Sequence, residues 1–300
     1  SSTMNSKIRG KARLDSLVRD KQGVSWNEAR KRIETGKIRV NGLQVLDPSM
    51  PTEPTATIEL KMNTPKPREH GPELSGKSLS KTDVVFLDEH LIVVNKQAGL
   101  STVPFEEGET ALEQLVCKYL NQSRVEVVQR LDRETSGLLV FARTPAVGRK
   151  LAEQFKAHTV LRRYQALVHG EPKRQTIRSD LMQDRGDGLR GSLRSGTERE
   201  RNLAKHAVTH VEVKKQFEKF ALIECRLETG RTHQIRIHLS EAGHPLLGEK
   251  AYIREFHDEK ITAPRLMLHA AELGFVHPAI GKLMRWELPL PKDFLAYQIS

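Results

Sequence analysis

Asp132 ends an apolar run, Val125–Leu131, and begins a polar stretch that closes in Thr135-Ser136-Gly137. A carboxylate projected from a rigid strand can attack an electrophilic carbon or take a proton, and Arg130 and Arg133 supply positive charge beside it. An aspartate in a turn also serves simply to hydrogen-bond nearby backbone, so position alone leaves both uses open. Tyr164 heads the apolar run Tyr164–Val168. Its ring could stack on a substrate, or pack in a core with its hydroxyl satisfied. His233, His238 and His244 invite a metal reading. On a helix opened by Thr232, however, His233 and His238 would stand about 140° apart around the axis, whereas paired ligands lie at i and i+4. No Gly-x-Ser-x-Gly elbow occurs, and no second carboxylate is poised as a glycosidase pair requires.

The elements that must hold these groups follow from hydropathy. Val84–Leu87 and Leu91–Val94 are short apolar strands around a turn at Asp88-Glu89-His90. Val125–Leu131, Leu138–Ala142, Tyr164–Val168, Val208–Val213 and Phe220–Leu227 continue the pattern. Val147, Leu151 and Phe155, spaced by four, predict a helix over 146–156. Strands outnumber helices, which predicts an α+β domain on a mixed, largely antiparallel sheet. Residues 178–201 show no period and carry Arg178, Arg185, Arg190, Arg194, Arg199 and Arg201 among four glycines. They read as an exposed excursion that could meet phosphates or simply be solvated.

Charge is distributed unevenly. The 300 residues carry a formal net charge of +11, and residues 1–40 hold eleven basic against four acidic side chains, leaving +7 there. Such a surplus favours a polyanionic partner, nucleic acid first. In the same segment Leu14, Leu17 and Val18 mark one face of a helix starting near Lys11. Ser25-Trp26-Asn27-Glu28 spells a capping box for a second helix, and Gly36 suits its left-handed end. Lys37–Val40 and Leu43–Leu46 then flank Asn41-Gly42, the preferred pair for a type I′ hairpin. The reading is therefore a small αα-hairpin-β module over 1–62, a Pro/Gly/Ser-rich linker over 63–82 and a large domain over 83–300. Cys117 and Cys225 are too few for a disulfide scaffold and suit a reducing, cytoplasmic setting. No apolar run reaches about 18 residues and residues 1–5 lack a signal-peptide core, so no membrane partner is expected.

Three stretches of the basic module, Arg13-Leu14-Asp15, Glu28–Ile33 and Gly36-Lys37-Ile38-Arg39-Val40-Asn41-Gly42, resemble the S4-type RNA-binding domain. That resemblance implies RNA contacts by Arg13, Arg30, Lys31, Arg32, Lys37, Arg39 and Asn41. In the large domain, Arg130-Leu131-Asp132-x-x-Thr135-Ser136-Gly137 is similar to the catalytic motif of the RluA-type pseudouridine synthases. Four more blocks follow the family order: Leu91–Lys96 with Ala98-Gly99-Leu100, Tyr164–Val168, Thr229–His238 with Gly243–Gly248, and Leu266–Ala270 with His277-Pro278. Two positions depart from the pattern, Gln129 where the family usually has His and Gln97 where it usually has Pro. A glutamine can hydrogen-bond but cannot titrate, which removes proton transfer at 129.

The resemblance implies a pseudouridine synthase fold and a reaction that breaks the N1–C1′ bond of a uridine in RNA, turns the base and rejoins it through C5. It makes Asp132 the essential carboxylate, as nucleophile or as base on the sugar, and Arg236 its partner. Tyr164 becomes the active-site aromatic, and Arg130 the side chain that fills the space left by the extruded base. An arginine about 4 Å from a carboxylate contributes around 4 kcal/mol at an effective dielectric of about 20, which offsets the roughly 3-unit rise that burial imposes. No cofactor or metal is implied, and a monomer acting on RNA is expected. The S4-type module points by analogy to large ribosomal RNA rather than tRNA. The rival readings are a tRNA-directed synthase, a catalytically silent RNA-binding or ribosome-assembly factor, and an Asp-dependent hydrolase. A silent factor would be marked by loss of Asp132, Tyr164 or Arg236, and all three are present.

Overall fold

A computed structural model describes residues 10–63 and 78–297, which form two compact units. The first comprises the described part of Ser1–Glu69 with His257–Pro264 and Pro291–Ser300; the second comprises His70–Phe256 with Arg265–Leu290. The chain thus returns twice to the first unit, and the expected 83–300 domain gives up two segments to it. Within that unit Lys11 Nζ lies 3.5 Å from a Glu259 carboxylate oxygen. Of the expected linker, residues 64–77 lie outside the described residues, while Leu79 is already part of the large unit's core.

In the small unit the first helix is Leu14–Gln22, three residues later than its apolar stripe alone suggested, with Arg13 as an extended N-cap. Leu14 and Val18 pack against Ala29 and Ile33 of the second helix, Trp26–Glu34, and Ile38, Val40 and Val45 close the core. Only half of the capping box forms. Ser25 accepts the Glu28 amide at 3.1 Å, but the Glu28 carboxylate is taken by Arg32 at 3.0 Å, one turn on. Asn41 and Gly42 both adopt positive φ, 51° and 82°, as a type I′ turn demands. They join Ile38–Val40 to Leu43–Gln44, and Ile58–Leu60 pairs on the other side.

Among the described residues the large unit has an eleven-stranded sheet. Its main path runs Gly191–Ser192, Gln175–Met182, Lys205–Gln216, Phe220–Leu227, Leu161–His169, Leu268–Val276, Ser136–Ala142, Leu91–Lys96 and Val84–Leu87. Neighbours are antiparallel except Ser136–Ala142 beside Leu268–Val276, which are parallel. The middle strands read as unbroken apolar runs because both faces are covered. Ile92, Val94, Leu139 and Phe141 enter one core cluster, while Leu91, Val93, Leu138 and Val140 enter another that also holds Val147 and Leu151 of the helix Pro145–Lys156.

Two expectations change. Val125–Leu131 is not one strand: only Glu126–Val127 pairs with the sheet, against Phe141–Ala142, and the chain then runs as a loop to Thr135. Its apolar residues, Val125 and Leu131 above all, are there to be buried rather than to extend a ladder. The arginine-rich stretch is also less irregular than its composition. Arg178 lies on the strand Gln175–Met182, paired to Lys205–Gln216, and residues 198–203 form a short helix.

Candidate active site

The loop that carries Asp132 is fixed on both sides. Before it, the Thr102 hydroxyl donates to the Leu131 carbonyl at 3.0 Å and accepts the Leu131 amide at 3.1 Å. After it, the Arg133 carbonyl accepts the Gly99 amide at 2.8 Å and Lys96 Nζ at 2.9 Å. Lys96 is fully buried and also donates to the carbonyls of Gln97 at 3.0 Å and Leu100 at 2.6 Å. Burial, with Arg265 adding to it, pulls the Lys96 pKa down to about 7. Arg265 donates to the Glu134 carbonyl at 3.1 Å and the Ser136 hydroxyl at 2.9 Å, and Ser136 in turn meets His269 Nδ1 at 2.9 Å. Gly137 stands where the parallel strands meet. A Cβ there would lie 2.2 Å from the Ala270 carbonyl oxygen, and φ is +119°. Thr135-Ser136-Gly137 is therefore a seam between strands, and it aims Asp132 from a rigid base.

Facing this loop is the helix Gln234–Glu241. Its N-cap is His233 in the left-handed region (φ 57°) rather than the expected Thr232. The Gln234 side chain satisfies the helix entry instead, accepting the Arg231 amide at 3.0 Å and the Thr229 hydroxyl at 2.7 Å. Arg236, on the first turn, brings Nη1 to 3.4 Å from Asp132 Oδ2. Its Nε and Nη2 are gripped by Glu249 at 2.9 and 2.7 Å. The Glu249 side chain is 0% exposed. Burial is the largest single influence and opposes its charge, but the hydrogen bonds and charge of Arg236 together with the Tyr252 and Ala251 amides outweigh it and hold its pKa below the usual carboxylate value. For Arg236, burial is likewise outweighed by the Glu249 contacts, which raise its pKa. His233 Nε2 lies 3.6 Å from Asp132 Oδ1, and its Nδ1 meets the Tyr252 hydroxyl at 2.6 Å. Burial keeps the imidazole pKa below its ordinary value, so the ring is neutral at pH 7. With Tyr252 donating to Nδ1, the ring turns an Nε2–H toward Asp132.

Tyr164 is only 8% exposed, yet its hydroxyl makes no hydrogen bond with the described residues, unlike a satisfied core tyrosine. Burial raises its pKa, Arg162 offsets part of the rise and the Asp132 charge adds to it, so the phenol is protonated at neutral pH. Arg130, Asp132, Tyr164, His233 and Arg236 all line one cavity of about 1290 Å³. Arg130 is exposed there and makes no ion pair with the described residues. Gln129 lines it too, its amide oxygen accepting the Val140 amide at 3.4 Å, while Gln97 reaches Asp83 at 3.4 Å. His238 is not directed at a ligand: Thr209 and Ser179 hydroxyls hold its two ring nitrogens at 2.8 and 2.9 Å.

The residues expected to meet RNA in the small unit have unequal freedom. Arg13 and Arg30 converge on the buried Asp15 at 2.9 and 3.3 Å, with each side chain still about half exposed. Arg32 is 18% exposed and spans Glu28 and Gln22, which makes it a helix tie. Lys31 is exposed, Lys37 and Arg39 are half-buried, and the Asn41 side chain accepts the Thr57 amide at 3.0 Å.

Residues 90–241, which contain Asp132, Tyr164 and Arg236, match the RNA pseudouridylate synthase family. The chain belongs to that family. Ribosomal large subunit pseudouridine synthase D of Zymomonas mobilis subsp. mobilis is 35% identical over 267 residues, covering 84% of this chain and 81% of the relative. The protein of the same name from Pseudomonas aeruginosa is 37% identical over 232 residues, 71% of this chain and 69% of its own. The solved structure of human RNA pseudouridylate synthase domain containing 4 shares the fold, with a TM-score of 0.58 at 23% identity over 71% of this chain and 90% of that one. The synthase is thus an isomerase of RNA and has the α+β architecture expected from its sequence. Among the described residues no helix is long and apolar enough to cross a membrane.

Proposed function

We propose that this synthase isomerises uridines in large-subunit ribosomal RNA, with Asp132 as the carboxylate that acts on the ribose. The observation that carries the chemical part is the placement of Asp132 between two groups suited to an anion, Arg236 Nη1 at 3.4 Å and His233 Nε2 at 3.6 Å, in a cavity shared with Tyr164. Attack at C1′ and removal of a sugar proton both use an ionised acid. Over the whole reaction the N1–C1′ bond breaks, the C5–C1′ bond forms, C5 loses its proton and N1 gains one. Tyr164 offers a face for the detached uracil and a protonated hydroxyl with no other partner among the described residues. Arg130 beside it is free to occupy the place of an extruded base, an extrusion that costs a few kcal/mol. The names of the relatives support ribosomal RNA as the substrate. The S4-like module, with Lys31 exposed and Arg13 and Arg30 half exposed, supports a docking surface for phosphates. Two free cysteines fit a reducing, cytoplasmic setting.

The test is Asp132→Asn, assayed by tritium release from RNA labelled at uridine C5 and by RNA binding. Turnover should fall below detection while affinity changes less than about threefold. Substantial turnover would remove Asp132 from its role. Pseudouridine mapping in total RNA from cells lacking the protein identifies the substrate, and losses confined to tRNA would overturn the ribosomal assignment.

A further inference from the structure

Arg162 stands two residues before Tyr164 on the strand Leu161–His169 and lines the same cavity. Only 8% of it is exposed, yet Nε and Nη2 are buried with no hydrogen-bond partner among the described residues. Besides burial, the titratable groups that act on it are Tyr164, whose phenol is neutral at pH 7, and the cation Arg231, and no carboxylate is among them. The contrast within one cavity is sharp: Arg236 is clamped by a buried glutamate and faces a second carboxylate, while Arg162 has no counter-charge among the described residues. The site is nevertheless built around it. The Phe155 ring lies 5.5 Å from Cζ, and Gly230 lets the guanidinium lie against the backbone, since a Cβ there would fall 2.1 Å from Nη1. Arg231, His158 and Lys156 line the same wall.

A guanidinium does not give up its proton, and a buried charge without a partner costs several kcal/mol. Such a cation is paired when an anion arrives. Uracil and ribose are neutral, so the anionic groups of an RNA substrate are its phosphodiesters. We propose that Arg162, flanked by Arg231 and His158, binds a backbone phosphate next to the uridine that enters this cavity. The assignment rests on the cavity being the uridine pocket. It adds a contact that positions the strand, distinct from the groups facing the sugar and base.

The test uses the full chain and a stem-loop RNA around a uridine that mapping shows to be modified. Each phosphate near that uridine is replaced in turn by an uncharged methylphosphonate. Binding is measured with Arg162 intact and as Arg162→Met, both in the Asp132→Asn protein so that turnover does not intrude. Arg162→Met should weaken binding about tenfold at 0.1 M salt and lower the slope of log K against log salt by about 0.7–0.9. One methylphosphonate should weaken binding to the Arg162 protein by the same factor and cause no further loss in Arg162→Met. Gly230→Ala, which displaces only the end of the Arg162 side chain, should reproduce the loss. Methylphosphonate losses that are equal in both proteins at every position would overturn the proposal. So would an Arg162→Met defect in single-turnover rate at saturating enzyme, measured with Asp132 intact, alongside unchanged affinity, which would mark a group acting on the base. Turnover by Asp132→Asn would refute the catalytic assignment and leave the phosphate measurement standing.

Discussion

Lys96→Met gives a test that separates the cost of burying a charge from the bonds that charge makes. The lysine is fully buried, its ammonium holds three carbonyls, and its pKa falls from 10.5 to about 7. A drop of that size costs the folded state about 5 kcal/mol when both states carry the proton. The sign follows from proton counting. Between pH 7 and about 10 the unfolded chain binds the proton and the folded chain has released it, so stability rises with pH there by up to about 1.4 kcal/mol per pH unit. The gain is complete above the unfolded pKa and is lost as pH falls through the folded one. Methionine fills similar volume, carries no charge and leaves the three carbonyls without their donor, at about 1–3 kcal/mol each. Below pH 7 the two effects nearly cancel, and wild type and variant should differ in stability by only a few kcal/mol. At pH 10 wild type should have gained about 4 kcal/mol on the variant. Urea unfolding of both proteins at half-unit steps from pH 6 to pH 10 reads this directly, because other titrating groups cancel in the difference. A difference that stays flat across the range would refute the reasoning. The same substitution frees the Gly99 and Arg133 segments around Asp132, so single-turnover tritium release at pH 7.5 should fall about 100-fold, the scale of a 1 Å misplacement.

Glu249→Gln should cost about 3 kcal/mol by leaving Arg236 without its buried counter-charge, seen as a Tm about 6–12 °C lower and a reduced turnover. That penalty should shrink in acid, because the lowered Glu249 pKa gives stability that is present above about pH 4.3 and lost as pH falls through the folded value. An equal penalty at pH 7 and in strong acid would refute the charge argument. Gly137→Ala should lose about 4 kcal/mol, since backbone strain and contact with the Ala270 carbonyl act together; wild-type Tm would refute the seam. Lys31→Gln should lower the salt slope of RNA binding by about 0.7–0.9, whereas Arg32→Gln should lower stability and leave the slope unchanged.

What the sequence disclosed and withheld follows a physical line. Apolar periodicity placed Val84–Leu87, Leu91–Val94, Leu138–Ala142, Tyr164–Val168, Val208–Val213, Phe220–Leu227 and the helix ending at Lys156, because burial on one or both faces leaves its mark in turn or pleat. It did not place the strands Gln175–Met182, Leu268–Val276 and Leu283–Glu287. Where residues serve a buried position rather than a ladder, as in 128–135, the same apolar run misled. Spacing by itself is weaker still. Gly71–Ser78 fits Gly-x-x-x-x-Gly-Lys-Ser, yet it follows a polar, proline-containing stretch instead of the apolar strand such a loop requires. Asp132, Tyr164 and Arg236 were legible through the ordered motifs, but the groups that hold them were not. Glu249 sits 13 residues from Arg236 with no pattern between them, and its role exists only once the chain has turned back. Lys96 did leave a signal, a lone cation closing the run Leu91-Ile92-Val93-Val94-Asn95. A lysine that ends such a strand must either reach water or find acceptors, and here the carbonyls of Gln97 and Leu100, just after the strand, and of Arg133, in the loop that aims Asp132, supply them. Arg162 is the complementary case. It also lies in an apolar strand, but none of the described residues gives its Nε and Nη2 an acceptor, and on the proposed reading that difference separates a cation that builds the site from one left to meet the substrate.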